Sequence, residues 1–595
     1  MLSYATPATY RVPGSGNLTD DVVAAERDRP GHVTFSRRTD EGWVDVTAAD
    51  FAAEVRAVAR GLLAAGIGAG DRVGLLCRTR YEWTLVDYAI WWVGAVTVPI
   101  YESSSADQVA WVLSDSGAVG VVVEDDRHRE RVEGVRGDLP ALEHVWTIDD
   151  GAVAAWSSSG AGVEDATLEE RRASTPPDAL ASIIYTSGTT GRPKGCNLTH
   201  ANLMFEAGSV ADVLGDLVDP DDASTLLFLP LAHVFARVVQ VVAVRTTTRI
   251  GHTADVSDLV SSLGEFRPSF VLAVPRVFEK VYNGASQKAQ SEGRGRIFDA
   301  ATDTAISYSR ALDGGSVPLV LRVRHRLFDR LVYGRLRAAL GGRATHAIAG
   351  GAPLGERLAH FFRGIGIPVL EGYGLTETTA AVTVNFPGET KVGTVGRPVP
   401  GTEVRVADDG ELLFRGEQVF GGYWQADDAT AEAVDADGWF HTGDLGEIDG
   451  EGFVRVTGRK KEIIVTAGGK NIAPAVLEDR MRAHAVISQA MVVGDGKPFV
   501  AALVTLDAEA VAAWAESHGR SGDVEQLASD PDVLALVQAA VDDANGQVSR
   551  AESVRKFHVL PADWTEEAGY VTPTLKLKRQ LVLRDFVDQV EALYL

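Results

Sequence analysis

Residues Ala181 to Gly195 read ASIIYTSGTTGRPKG, an apolar strand (Ile183 to Tyr185) running into a loop with three glycines, four hydroxyls and Lys194. Small residues let a backbone approach a phosphate closely, hydroxyls and N–H groups donate to its oxygens, and the lysine adds positive charge. A Walker A loop is excluded, because Gly188 is followed by T-T-G-R-P-K-G with no G-K-[ST] at the required spacing. A short Gly/Ser stretch alone reads equally well as a surface turn. The run YTSGTTGRPKG is long and specific enough to argue for a phosphate loop at the end of a buried strand.

Upstream of that loop the chain alternates helices with short apolar strands. Phe51, Val55, Val58 and Leu62 recur at helical spacing, and Gly66 to Gly70 end the helix. Val73 to Cys77, Val96 to Ile100 and Val119 to Val123 read as strands buried on both faces, with a helix over Trp83 to Val93 between the first two. Ser105 and Gln108 have the spacing of a capping box before a further helix. This order predicts βαβ units and a parallel sheet. Gly151 to Gly162 reads as a loop, and Gln287 to Arg296 as an exposed connection. Beyond Gly458 the texture changes to a small α+β unit, with a helix near Val476 to Met481 and a hairpin over VVGDGKPFVAALVTL. The boundary falls near residues 459–461.

The 595-residue chain carries a formal charge of −25, which argues against sequence-independent binding of nucleic acid but not against small anions held by local N–H groups. Two cysteines, Cys77 and Cys196, exclude a disulfide scaffold and fit a reducing cytosol. MLSYATPATYRVPGSGNLTD has neither a basic start nor an apolar core, so no signal peptide is expected, and no apolar run is long enough to span a bilayer. A cytoplasmic protein is expected, with peripheral membrane contact left open.

YTSGTTGRPKG resembles the phosphate loop of the adenylate-forming enzymes: acyl-CoA synthetases, luciferases and nonribosomal adenylation domains. Further motifs follow in that family's order: LPLAHVFAR (Leu229 to Arg237), GGAPL (Gly350 to Leu354), LEGYGLTET (Leu370 to Thr378), WFHTGDLGEIDGEGFVRVTGRKKEIIV (Trp439 to Val465), GGKNIAP (Gly468 to Pro474) and TPTLKLKR (Thr572 to Arg579). The match runs across nearly the whole chain and looks most like bacterial long-chain fatty acyl-CoA synthetases. It implies an α/β multidomain fold: a large N-terminal domain of layered α/β sheets (1–460) and a small mobile α+β C-terminal domain (461–595), hinged at Lys461.

By the same resemblance, Thr186, Ser187, Gly188, Thr189, Thr190, Gly191, Gly350, Gly351, Ala352, Tyr373 and Gly374 would hold ATP or AMP, with Tyr373 stacking on adenine. Asp444 and Arg459 would take the ribose; a carboxylate accepts from two adjacent hydroxyls at once. Thr376 would contact the α-phosphate, Glu377 would help hold Mg²⁺, His233 would sit at the acyl pocket, and Lys194 and Lys576 would neutralise phosphate charge. Leu575 stands where glycine is usual before the mobile lysine, and Lys578 competes with Lys576 for that role. Gly468, Gly469 and Lys470 would line the pantetheine tunnel for CoA. Trp91 and Trp92 are either acyl-tunnel walls or core.

The implied reaction joins a fatty acid, ATP and CoA through acyl-AMP. A carboxylate is already ionised at neutral pH, so no general base is needed, and the absence of a Ser-His-Asp or Cys-His signature is expected. Two other readings stand beside it: an acyl-AMP ligase that loads a carrier protein, and a non-catalytic acyl or nucleotide sensor on the same fold. The oligomeric state, monomer or homodimer, stays open.

Overall fold

Helices and strands alternate over residues 48–123 as the spacing predicts. The helix Ala48–Ala64 buries Phe51, Val55, Val58 and Leu62 on one side. The helix Tyr81–Trp92 is buried almost all round, which is why its sequence shows no polar face. Ser105 and Gln108 form the reciprocal cap of the helix Ala106–Ser116. The computed structural model describes residues 1–39, 41–186, 192–254, 259–572 and 576–595.

The strands Arg72–Leu76, Val96–Ile100 and Gly120–Val123 lie in a six-stranded sheet, parallel to one another and to His144–Thr147 and Leu180–Thr186. The last strand, Lys194–Thr199, folds back antiparallel on Leu180–Thr186, so the phosphate-loop segment connects two adjacent strands. A second sheet joins Phe270–Ala273, His346–Ala349 and Val369–Leu375 in parallel, then turns antiparallel through Ala380–Val384. A third, antiparallel sheet pairs Glu411–Arg415, Phe440–Ile448 and Val454–Arg459.

The apolar cores divide along the chain. One set of clusters draws on residues up to Val454, and another on residues from Ile464 onward. The later part builds a three-stranded sheet, Ile487–Val493, Val500–Leu506 and Val554–Val559, with the expected hairpin between the first two. The helix Pro474–Arg482 packs on it. Arg276, on the helix Pro275–Ser291, reaches this part through an ion pair to Asp507 at 3.0 Å.

Two expectations need correcting. Gly151 to Gly162 is not a loop: Ala152–Ser159 is helical and Gly160–Gly162 is a 3-10 turn. Ala152 and Trp156 are buried against the helix Ala48–Ala64, and a Cβ on Gly61 would lie 2.3 Å from the Trp156 side chain. Tertiary packing of one tryptophan overrides the Gly/Ser composition, while Ser157 and Ser158 satisfy their hydroxyls on the carbonyls four residues back. Likewise, Gln287 to Arg296 is mostly helix. The helix Pro275–Ser291 runs through its first half, and three residues separate it from the next helix, Gly295–Asp313.

Candidate active site

One cavity of about 1580 Å³ lies where the sheets meet the C-terminal part. Its walls are sharply divided. One end is lined by Thr186, Lys194, Gly350, Gly351, Tyr373, Gly374, Thr376, Glu377, Arg459 and Lys576. The other is an apolar channel between Val210, Leu214 and Val218 on one side and Val238, Val242 and Ala243 on the other, with Phe270 and Leu272 beneath. Valines four apart on the helix Val234–Thr246 supply one wall, so the helical period itself paves the channel. His233 and Glu206 line the same cavity.

Strand register sets the first polar pair. Asp444 and Arg459 lie directly opposite each other on the antiparallel strands Phe440–Ile448 and Val454–Arg459. Arg459 Nε sits 2.9 Å from Asp444 Oδ1. The Tyr373 hydroxyl donates to the other oxygen of Asp444, so both carboxylate oxygens are engaged. Burial beside that carboxylate pushes the Tyr373 phenol well above its ordinary range, and the ring keeps its proton. Tyr373 sits at a bulge, where a Cβ on Gly374 would fall 1.5 Å from the Ala380 carbonyl oxygen. Only glycine permits that approach.

Glu377 lies on the turn Thr376–Thr378 and accepts from the Tyr423 hydroxyl at 2.8 Å. The Lys194 ammonium stands 5.0 Å from the centroid of the same Tyr423 ring. Tyr423 thus joins two residues read from separate motifs, and nothing in its own spacing announced it. Glu371 was also missed. Its carboxylate accepts from Leu354 N at 3.2 Å, fastening the GGAPL loop to the strand Val369–Leu375, and burial raises it to about 7.

His233 caps the helix Val234–Thr246: its Nδ1 accepts from Phe235 N at 3.2 Å. That bond puts the ring proton on Nε2, the nitrogen left to face the cavity. Burial, reinforced by the Lys576 charge, drops its pKa to about 3, so the ring stays neutral. Thr572 N donates to Lys576 O at 2.9 Å, and Val571 bridges Leu577. The Lys576 side chain is open to the cavity yet enclosed by protein beyond it. Desolvation first, then Arg459, lowers its pKa, while Asp444, Glu377 and Glu462 pull it back up. Lys578 also lines the cavity but caps the start of the helix Arg579–Asp585.

Several expected residues stand elsewhere. Ser187, Gly188, Thr189, Thr190 and Gly191 lie outside the described residues. Ala352 follows Gly351 on the exposed surface and does not line the cavity. Gly468, Gly469 and Lys470 form the exposed connection between the short strands Ile464–Val465 and Asn471–Ile472, away from the cavity, with Lys470 paired to Glu552 at 3.3 Å. Lys461, on the turn Lys460–Glu462, borders the cavity from an exposed position. Trp91 and Trp92 are core, not channel walls: both are fully buried, and the Trp91 indole donates to Ala181 O at 2.8 Å.

A polar end carrying Lys194, Arg459 and Lys576, in one cavity with an apolar channel, fits an adenylate-forming enzyme. The AMP-binding enzyme family model matches residues 22–424, a model of the C-terminal domain of AMP-binding enzymes matches residues 461–595, and the chain belongs to this family. Long-chain-fatty-acid–CoA ligase FadD15 of Mycobacterium tuberculosis is 50% identical over the full length of both chains. Among solved structures, the anthranilate CoA ligase AuaEII in complex with anthranoyl-AMP superposes with a TM-score of 0.75 at 19% identity, covering 98% of this chain and 99% of its own. A fatty acyl CoA synthetase of Mycobacterium tuberculosis gives 0.63 at 24% identity, covering 96% and 99%.

Proposed function

We propose that this protein is an AMP-forming long-chain fatty acid–CoA ligase. The observation that carries the reading is one cavity that joins an apolar channel to a polar pocket lined by Tyr373, Glu377, Arg459 and Lys576, with Asp444 paired to Arg459 behind it. An acid bound with its chain in the channel has its carboxylate at the phosphate end, where proximity replaces general-base chemistry. A carboxylate oxygen attacks the α-phosphorus of ATP, the bond to pyrophosphate breaks, and acyl-AMP forms. The CoA thiolate then attacks the acyl carbonyl, and AMP leaves. No proton must be removed from the acid in the first step.

In this reading Asp444 and Arg459 orient the ribose, Tyr373 faces the adenine, and Lys194 and Lys576 offset the negative charge on the phosphates. The neutral His233 offers Nε2–H at the mouth of the channel. Glu377 suits a magnesium ion: Tyr423 occupies one of its oxygens, leaving the other, and Mg²⁺ needs few protein carboxylates when phosphates and water complete its shell. Bound there, the ion would neutralise charge on the phosphate oxygens.

The domain division at residues 460 and 461 belongs to the same proposal. Lys576 serves only the first step, and the Gly468–Lys470 loop only the second; a turn about Lys461 would exchange them. Product mass spectrometry after incubation with ATP, Mg²⁺ and fatty acids of graded length, with and without CoA, tests the reading. Long-chain acyl-CoA and AMP formed only with CoA is the expected result. Acyl-AMP that accumulates regardless of CoA would favour a carrier-loading ligase, and no product at all would favour a sensor. Lys461→Pro should spare ATP–pyrophosphate exchange and cripple thioester formation; equal loss of both would sink the hinge.

A further inference from the structure

The helix Leu319–Phe328 buries none of its residues, although six of its ten are apolar. Its inner side is already fastened. His325 donates to Gly364 O at 2.7 Å and stacks on Tyr308 with centroids 3.8 Å apart, and Tyr333 just beyond donates to Ala301 O. The outer side carries a second apolar stripe. Val320, Val323 and Leu327 recur at intervals of three and four, and Leu331 extends the row into the following turn; their exposures are 80%, 60%, 56% and 53%. Leu319, at 75%, stands at its head. A helix fixed on one face and apolar on the opposite one is not waiting for a place in the core.

The charge beside the stripe inverts that of the whole molecule. Residues 319–337 hold six arginines and one carboxylate, Asp329, in a chain of formal charge −25. Arg322, Arg326 and Arg330 recur every four residues along one flank, all exposed, and none forms an ion pair among the described residues; Asp329 is taken by Arg337. Unpaired arginines along an exposed apolar row are the pattern of a helix lying in a membrane interface, with its apolar side among the acyl chains and its cations at anionic headgroups. A second copy of the chain fits poorly, since a two-fold contact through this face sets arginine against arginine.

We propose that the Leu319–Leu331 segment is a docking surface for an anionic phospholipid bilayer. The docking stands on this helix alone and does not require the ligase reading, although a long-chain acid would itself partition into such a surface.

The test is flotation of the full-length protein with vesicles, without ATP, CoA or fatty acid. Vesicles of phosphatidylcholine are compared with vesicles containing phosphatidylglycerol, at low and high salt. Binding should be about tenfold stronger with phosphatidylglycerol and should weaken with salt. Combined Arg322→Glu, Arg326→Glu and Arg330→Glu should abolish that preference. Val323→Ser with Leu327→Ser should release the protein from both kinds of vesicle. Both variants lie on the surface and should melt like the parent and turn over a fatty acid in vesicle-free solution as it does. No flotation of the parent, or equal flotation of parent and variants, overturns the proposal. So does a dimer in light scattering that Val323→Ser with Leu327→Ser dissociates, since a second copy would then cover the stripe. Flotation that behaves as expected in a protein forming no acyl-CoA supports the docking and sinks the ligase reading instead.

Discussion

Two aspartate–arginine pairs, built from the same chemistry, do opposite things. Asp87 and Arg237 are completely buried, and the arginine binds the aspartate through two nitrogens. Thr97 and Gln240 donate to the same carboxylate, a further guanidinium nitrogen donates to Ser182, and Trp83 and Trp91 stand 5.4 and 5.1 Å from the cation. Asp444 is just as buried, but Arg459 is 40% exposed and makes its contact through Nε, leaving its terminal nitrogens at the cavity. The closed pair engages all three guanidinium nitrogens inside the protein and braces two helices on a sheet. The open pair leaves donors at the cavity, where the proposed nucleotide would meet them. An ion pair marks a site when part of its valence is unspent, not when it is strong.

The comparison breaks first on stability. Arg237→Ala strands a buried carboxylate and should cost about 3–5 kcal/mol in urea unfolding, whereas Asp87→Leu with Arg237→Met should recover much of that loss. Asp444→Ala should do the reverse: kcat/KM for ATP falls about a hundredfold, near 2.7 kcal/mol, while the unfolding midpoint moves little. If the two variants gave the same ratio of stability loss to activity loss, the distinction would fail. Tyr423→Phe removes one hydrogen bond to Glu377 and should lower ATP–pyrophosphate exchange by up to about tenfold, or about 1.4 kcal/mol, at unchanged fold.

The smallest effect is a pH shift. A lysine is charged below its pKa, and desolvation lowers that of Lys576, so its charge disappears at lower pH than in an ordinary lysine. The alkaline fall of ATP–pyrophosphate exchange should therefore begin below the usual lysine range. Lys576→Arg should move that fall upward; an alkaline limb indifferent to the substitution would assign it to another group.

The open pair was legible in the sequence and the closed one was not. TGD and GRKK carried Asp444 and Arg459 in contiguous motifs, because a ligand-facing pair must sit where backbone and ligand meet. Arg237 lay inside a quoted motif, yet nothing local tied it to Asp87, 150 residues earlier. Tyr423 and Glu371 stayed hidden for the same reason, since their partners, Glu377 and Leu354, come from separate turns and loops of the chain. The parallel sheet was legible because each strand is a short, fully apolar run between helices. Residues 151–162 were misread because one buried tryptophan outweighed the small residues around it.

The antiparallel pairing of Asp444 with Arg459 also limits how this chain can drift. Register acts as a ruler: the tip between the two strands, Asp449 to Phe453, tolerates a change of length, because both residues keep their rungs. A single deletion from Gly446 to Ile448 or from Val454 to Val456, outside the bulge at Thr457, turns one member of the pair to the opposite face. Such a chain would still fold its sheet and yet lose the pair that the proposed function assigns to the nucleoside. Lineages of this enzyme should therefore vary freely in the length of that tip and hardly at all in the strands beside it.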